Sequence, residues 1–146
     1  MPTPQNYKNH VRFHPPFHFF VAPVLLINVI LSIVVLVRHW PHHIALLSWV
    51  VIMSFALFLL AGFARSYALR VQDRIIRLEE HLRYQRLLPP ELLAAAQTLT
   101  IKQIIALRFA SDAELPALLQ RTLTENLKPK AIKQSITNWR ADYLRA

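Results

Sequence analysis

Histidine is the residue type in this chain best suited to bind a metal or a haem, because the sequence has seven histidines and no cysteine. His10, His14 and His18 recur every four residues, a spacing that would place three imidazoles on one face of a helix. Pro15 and Pro16 would interrupt that helix, and no Asp or Glu lies nearby to orient the rings. We therefore predict a structural or interfacial role for these histidines rather than a metal site.

A second group of histidines, His39, His42 and His43, lies between two apolar stretches. Unperturbed imidazole titrates at about pH 6.5, so this group suits a pH sensor or a zinc site. His18 is the better-placed ligand for a haem or pigment in a larger complex, since it lies at the edge of the first stretch. Neither stretch holds a second histidine for bis-ligation. We expect the chain alone to carry no cofactor.

The other common reactive constellations are missing from the sequence. Without cysteine there is no thiol catalysis, and a single glycine, Gly62, excludes glycine-rich phosphate loops. No serine stands beside a base and an acid in a pattern that suggests a hydrolase. Asp112 and Glu114 fall in the segment Ser111-Asp112-Ala113-Glu114, which has the form of a helix capping box. We therefore predict that the protein is not an enzyme.

Two uninterrupted apolar stretches, Phe17 to Val37 and Ile44 to Ala64, dominate the first half of the chain. Each has 21 residues and contains no Lys, Arg, Asp or Glu. At about 1.5 Å per helical residue, each can cross a hydrocarbon core of roughly 30 Å. They predict a transmembrane helical hairpin.

The distribution of charge predicts the orientation of that hairpin. All eight acidic residues lie at Asp73 or later, and six arginines follow the second stretch, whereas the connector carries only Arg38. Basic residues near the ends of spans stay on the cytoplasmic side. We expect both termini to be cytoplasmic and the protein to reside in a bacterial inner membrane.

Two polar residues fall at the same depth of the predicted hairpin, Asn28 in the first span and Ser54 in the second. An unpaired amide is costly in hydrocarbon, so an interspan hydrogen bond is the favoured interpretation, and a polar lining or a pigment contact is the alternative. Pro23 predicts a kink in the first span. Alternatively, the regular helix starts near Ala22.

Beyond the second apolar stretch, the helix is predicted to continue into the cytosol as an amphipathic stalk over residues 65–88. Apolar residues recur there at alternating spacings of three and four, which is the pattern of a coiled-coil stripe. One interpretation is a parallel dimer, and the favoured one is a single stalk that packs on the C-terminal helices. The stripe consists of Ala68, Val71, Ile75, Leu78 and Leu82. Flanking arginines would contact anionic headgroups, namely Arg65, Arg70, Arg74 and Arg77.

The remaining residues, 89–146, predict a small unit of short helices. Leu88-Pro89-Pro90 ends the stalk, and Pro90 suits the first turn of a helix over 91–99. Thr100 and Gln103 have the form of a capping box for a helix to Phe109, and the Ser111 segment would open another helix to Asn126. A last helix over 130–145 would carry one apolar face, made of Ile132, Ile136, Trp139 and Tyr143.

The chain is thus predicted to be all-α and to have four parts: an interfacial segment 1–16, a hairpin 17–64, a stalk 65–88 and a helical unit 89–146. Residues 5–13 read QNYKNHVRF, residues 16–19 read PFHF, and residues 103–116 read QIIALRFASDAELP. With these segments the chain resembles a bacterial family of small two-span membrane proteins catalogued only as a domain of unknown function. That resemblance implies the topology and an inner-membrane location, but no activity or catalytic residue.

The leading functional hypothesis is a non-enzymatic, membrane-anchored scaffold whose cytosolic helices bind a protein partner or a second copy. Its other partner would be a bilayer with anionic headgroups. No nucleic-acid recognition motif accompanies the excess of 17 basic over 8 acidic residues, so we expect no nucleic-acid partner. One alternative is an accessory subunit of a respiratory or photosynthetic complex that helps seat a pigment, haem or lipid. The other is a pH or metal sensor acting through the histidine-rich tip.

Overall fold

The computed structural model describes residues 5–9 and 14–142, and their regular structure is helical. No strand forms among these residues, where Ala110 and Trp139 make one isolated antiparallel bridge. The all-α prediction is therefore confirmed. The elements are a π-helical segment, Pro16–Val21, followed by helices α1 (Ala22–Arg38), α2 (Ile44–Leu87), α3 (Pro90–Ala96), α4 (Ile101–Leu107), α5 (Leu115–Glu125) and α6 (Pro129–Ser135).

The described residues fall into two compact units. One comprises residues 14–69, and the other comprises residues 70–142 together with residues 5–9. Helix α2 is continuous across the boundary, because its hydrogen bonding runs unbroken from Ile44 to Leu87. The predicted continuation of the second apolar helix into a stalk is thus what the chain forms.

The first apolar helix begins with a widened turn. Pro23 has no amide hydrogen to donate to the carbonyl of Phe19, and its ring crowds that carbonyl. The preceding turn is π-helical, and the amide of Ala22 donates to the carbonyl of Phe17. Regular α-helix starts only at Ala22, which is the alternative that the sequence left open.

Both long apolar helices could cross a membrane by length and composition. Their most apolar windows, in Pro16–Arg38 and Ile44–Leu87, are only 6% buried. The core helix of a soluble protein would instead have most of that surface covered. Large apolar side chains face outward along both helices, including Phe19, Ile33 and Phe55. In water this exposure would be unfavourable, whereas acyl chains would cover it.

The second unit has a core built by the end of α2 and the four short helices. Tyr84 and Leu88 contribute from the end of α2 and the residue after it. They pack with a cluster of fully buried side chains from the following helices and loops, among them Ile104, Leu107, Phe109, Leu115, Leu119 and Ile132. The predicted box at α4 is confirmed: Thr100 accepts from the amide of Gln103, and the Gln103 side chain accepts from the amide of Thr100.

The second predicted capping box is wrong. Helix α5 begins at Leu115, and its N-terminus has no side-chain cap. Glu114 does not reach back to Ser111 but accepts hydrogen bonds from Thr137 and Asn138. The reason is tertiary, because the Ser111 amide, which the Glu114 carboxylate would accept in a capping box, donates instead to the carbonyl of Asn138.

The predicted helix over 130–145 is also wrong beyond Ser135, where α6 ends. Ile136 is extended, and the chain pairs through Trp139 with Ala110. In this conformation the Trp139 ring lies 5.1 Å from the ring of Phe109, centroid to centroid. Tyr143 lies outside the described residues. The apolar residues after Ser135 are spaced as in a helix, but Ile136 and Trp139 make their core contacts from an extended segment.

We predict that Glu114→Gln makes stability less dependent on pH. Partial burial raises the pKa of Glu114, but hydrogen bonds from Thr137 and Asn138 lower it further, so the net pKa falls below the usual 4.5. A depressed carboxyl pKa contributes stability above pH 4.5 that is lost as the pH falls through the folded-state pKa. The midpoint temperature of unfolding should therefore differ between the variant and the wild type at neutral pH, and it should differ less at acidic pH. A difference of equal size at both pH values would contradict this account.

Candidate functional site

The part of α2 that follows the apolar stretch presents two opposite faces. One face is buried and includes Ile76, Glu80, Arg83 and Tyr84, whereas the predicted stripe lies on the other. At about 100° of rotation per residue, the two sets are centred roughly 150° apart around the helix. The buried face is covered by the C-terminal segments, so the position of those segments decides which face stays accessible.

Arg83 is the centre of the buried face, with only 2% of its surface exposed. Its Nε donates to Oδ1 of Asp112 at 2.8 Å, and its second terminal nitrogen donates to the carbonyl of Ala110 at 2.7 Å. The other terminal nitrogen donates to Oε2 of Glu80 at 3.2 Å and to the carbonyl of Arg108 at 3.5 Å. The guanidinium therefore ties α2 to the loop between α4 and α5.

Further ion pairs extend this cluster. Arg140 lies 3.5 Å from Oε1 of Glu80, and Arg108 lies 3.2 Å from Oδ2 of Asp142. Burial raises the pKa of the Glu80 carboxyl, because the loss of solvation outweighs the opposing effects of Arg83 and Arg140. These contacts stabilise the packing of the C-terminal chain on α2. They pair the carboxylates of the cluster with guanidinium groups.

Residues before the first apolar helix join the same unit. Gln5 donates from Nε2 to the carbonyl of Asp142 at 3.2 Å, and the amide of Asp142 donates to Oε1 of Gln5 at 2.9 Å. Gln5 is 8% exposed. A segment from the start of the chain and one from its end are thus hydrogen-bonded to each other in one folded unit.

The stripe on the opposite face is accessible along its length. Its four large members, Val71, Ile75, Leu78 and Leu82, are 51–63% exposed, and Ala68 is exposed as well. The stalk packs on the C-terminal segments with a different face, which includes Ile76, Glu80 and Arg83. Periodicity could not reveal that choice, because Glu80 and Arg83 look like an ordinary surface pair three residues apart.

The arginines predicted to contact headgroups lie on the outside of α2. Arg70, Arg74 and Arg77 are exposed, whereas Arg65 is half-buried. The Arg65 guanidinium carbon is 5.9 Å from the ring centroid of Phe17. Arg65 therefore lies at the end of the apolar stretch against an aromatic ring, a geometry suited to a cation–π contact.

Asn28 and Ser54 are brought together inside the hairpin. Nδ2 of Asn28 donates to Oγ of Ser54 at 2.8 Å, and Ser54 is 4% exposed. Nearby, the hydroxyl of Ser32 is also turned inward and donates to the carbonyl of Val29. The side chains of Asn28, Ser32 and Ser54 are thus directed at each other or at a backbone carbonyl, away from the exposed apolar surface of the two helices.

The histidines are not gathered into a site by the described part of the chain. Nδ1 of His18 is 3.0 Å from the carbonyl of His14, and Nδ1 of His39 is 3.0 Å from that of Val35. His42 and His43 are exposed in the turn between α1 and α2, and His10 lies outside the described residues. Within residues 5–9 and 14–142, no three potential ligands lie close enough together to hold a metal ion.

A family model described as a family of unknown function, DUF6526, matches residues 1–146, the whole chain. This agrees with the resemblance noted in the sequence. No curated protein matches the chain, and no solved structure does.

We predict that Arg83→Met destabilises the second unit by about 3–5 kcal/mol, because it leaves two carbonyls without this donor and buried Glu80 with only the exposed Arg140 as a partner. Chemical denaturation of the full chain, followed by the fluorescence of Trp139 with Trp40 and Trp49 replaced by Phe, measures this loss. Arg86→Met is the matched control, since Arg86 is exposed one turn away and should change stability by less than about 0.5 kcal/mol. Equal effects of the two substitutions would show that the buried cluster is dispensable.

We predict an interaction energy of about 0.6–2 kcal/mol between Asn28 and Ser54. A double-mutant cycle with Asn28→Ala and Ser54→Ala, measured as unfolding of the hairpin in mixed detergent micelles, isolates this term. If the decreases in unfolding free energy of the two single variants add up to that of the double variant, the 2.8 Å contact contributes nothing to hairpin packing.

Proposed function

This chain belongs to the DUF6526 family, and because the function of that family is unknown, we propose a role from the geometry of the chain itself. We propose a non-enzymatic integral membrane protein that pairs with a second copy of itself and presents its cytosolic helical unit as an anchored scaffold. The observation that carries the proposal is the exposed apolar stripe on α2, opposite the face that the C-terminal segments cover.

The contact between Gln5 and Asp142 supports a hairpin topology. These residues precede the first span and follow the last one, so their hydrogen bonds require both ends of the chain to lie on the same side of a bilayer. Two spans satisfy that requirement. The arginines just beyond the second span favour the cytoplasmic side, and a bacterial inner membrane is the compartment that we propose.

Membrane insertion favours a parallel pairing of stalks. Copies inserted with one orientation project their α2 helices from the same side of the bilayer, and α2 continues without a break out of the span. Two heptads are short for a coiled coil free in solution. Here the helix is already formed, and confinement to a membrane raises the effective concentration of the second copy.

Charge complementarity supports a second copy as the occupant of the stripe. With Ile75 at an a position and Leu78 at a d position, Arg74 falls at g and Glu79 at the following e. In a parallel dimer, g of one chain faces that e of its partner, so each interface would hold two Arg74–Glu79 pairs. Gln85 occupies the next d position, which limits the apolar contact to the stripe.

The scaffold role is distinct from the two alternatives drawn from the sequence. A pigment-seating subunit and a histidine-based sensor stay predictions, because the described structure adds no contact that favours either. The proposed dimer instead leaves the surfaces of α3 to α6 available to a further protein. Lipid headgroups on the exposed arginines would add to membrane attachment, by about 1 kcal/mol for each residue near the surface.

The absence of native cysteine allows a direct test by cross-linking. We predict that Ile75→Cys forms an intermolecular disulfide in oxidised native membranes, because a positions of a parallel dimer face each other. Arg77→Cys is the matched control, since it is exposed on the same turn but lies away from the stripe. Cross-linking at both positions alike, or at neither, would contradict the proposed interface.

A charge exchange sharpens the same test. Arg74→Glu should weaken the dimer by placing like charges opposite each other, and adding Glu79→Arg in the same chain should restore it. The molecular mass of the full chain in mild detergent reports both effects. If neither substitution changes the mass, the proposed register is wrong.

A further inference from the structure

A groove of about 460 Å³ lies within the membrane-spanning unit, between residues of the two apolar helices. It falls in the size range of small-molecule sites in proteins. Its walls are almost wholly apolar and include Phe17, Leu25, Phe58, Gly62, Phe63 and Ser66. The hydroxyl of Ser66 is already engaged, since it donates to the carbonyl of Phe63.

Gly62, the only glycine of the chain, keeps this groove open. A Cβ added at Gly62 would meet no atom within 4 Å, so the two spans do not need glycine there in order to pack. Its backbone does not need glycine either, because no glycine has a positive φ. Glycine is a poor helix former, yet it occurs here within α2. What the missing side chain provides is space.

A cation lies at the rim of the groove. Arg65 follows the last residue of the second apolar stretch, at the level where the headgroup region of a bilayer would begin. Its guanidinium carbon is 5.9 Å from the ring centroid of Phe17, which lines the groove. Phe17 belongs to the π-helical segment before α1, a type of turn that is frequent at functional sites.

We infer that this groove holds one acyl chain of an anionic phospholipid, with the phosphate of the headgroup at Arg65. The inference rests on the proposed membrane location but not on the proposed dimer. From Ser66 to Phe58 the groove runs about 12 Å along the helix, so it covers the part of the acyl chain nearest the headgroup. The apolar walls suit an acyl chain. The guanidinium of Arg65 at one end of the groove determines where the lipid headgroup lies.

The test uses the full-length protein reconstituted into vesicles of phosphatidylglycerol and phosphatidylcholine in equal amounts, with matched acyl chains. After transfer to mild detergent, native mass spectrometry counts the lipids retained by each protein. We expect one retained lipid, enriched in phosphatidylglycerol. Arg65→Gln should reduce that enrichment by about fivefold, because one interfacial cation is lost.

Gly62→Leu tests the groove itself. This substitution should lower the retention of phosphatidylglycerol and of phosphatidylcholine to background, because the leucine side chain would occupy the space of the acyl chain. Gly62→Ala should retain lipid, since its methyl group fits without contact. Ala56→Leu introduces the same leucine side chain at an exposed position elsewhere on α2 and should also retain lipid. Circular dichroism checks that all variants keep their helices.

Other results would overturn the lipid site or the proposals on which it rests. Retention by Gly62→Leu that equals the wild type would overturn the groove as the binding site. Equal retention of the two lipids by the wild type would overturn the role of Arg65. A monomer that retains lipid would contradict the dimer alone, whereas a chain released from membranes by alkaline carbonate would contradict the membrane location.

Discussion

The buried guanidinium of Arg83 decides which face of α2 is covered. A charge taken out of water must be paired and fully hydrogen-bonded, or the fold would not tolerate it. Asp112, Glu80 and the carbonyl of Ala110 meet that requirement, and they lie on α2 itself and on the loop after α4. Once they are engaged, the short C-terminal helices can pack only on that side, and the stripe on the opposite side is left to another molecule.

A single long helix therefore presents two kinds of surface. Its first half is apolar all round, which suits a lipid solvent, and its second half is covered on one side by the chain's own core. A buried polar group needs an internal hydrogen-bond partner. Asn28 and Ser54 meet this requirement in the hairpin, as Arg83 and its acceptors do in the other unit. With these polar groups paired internally, the two halves of α2 differ in their outward surfaces: the first is apolar all round and suited to acyl chains, and the second carries the apolar stripe.

Local signals in the sequence predicted the parts of the fold that local physics determines. Apolar length fixed the two long helices, proline spacing predicted the end of α2, and Thr100 with Gln103 predicted the start of α4. The Ser111 segment carried an equally good capping pattern, yet its backbone pairs with residues far along the chain. Residues after Ser135 had helical spacing, but Trp139 reaches the core from an extended segment. In both cases a tertiary partner that sequence spacing does not reveal overrode the local preference.

The candidate surface was predicted in the same partial way. Heptad spacing identified the stripe, but only the burial of Arg83 and Glu80 shows that the chain itself leaves it accessible. The groove at Gly62 gave no sequence signal beyond an isolated glycine. It depends on how two helices meet, which composition does not specify.

The central claim is that two copies pair through the stripe, and a distance measurement in lipid vesicles tests it most directly. A single nitroxide attached at Arg77→Cys, an exposed position on the same turn as Ile75 but outside the stripe, reports the separation of labels by pulsed electron–electron double resonance. Paired helices lie about 8–10 Å apart, so pairing predicts a narrow distribution of label distances within roughly 35 Å. A signal with no dipolar coupling above that of randomly dispersed monomers would contradict it.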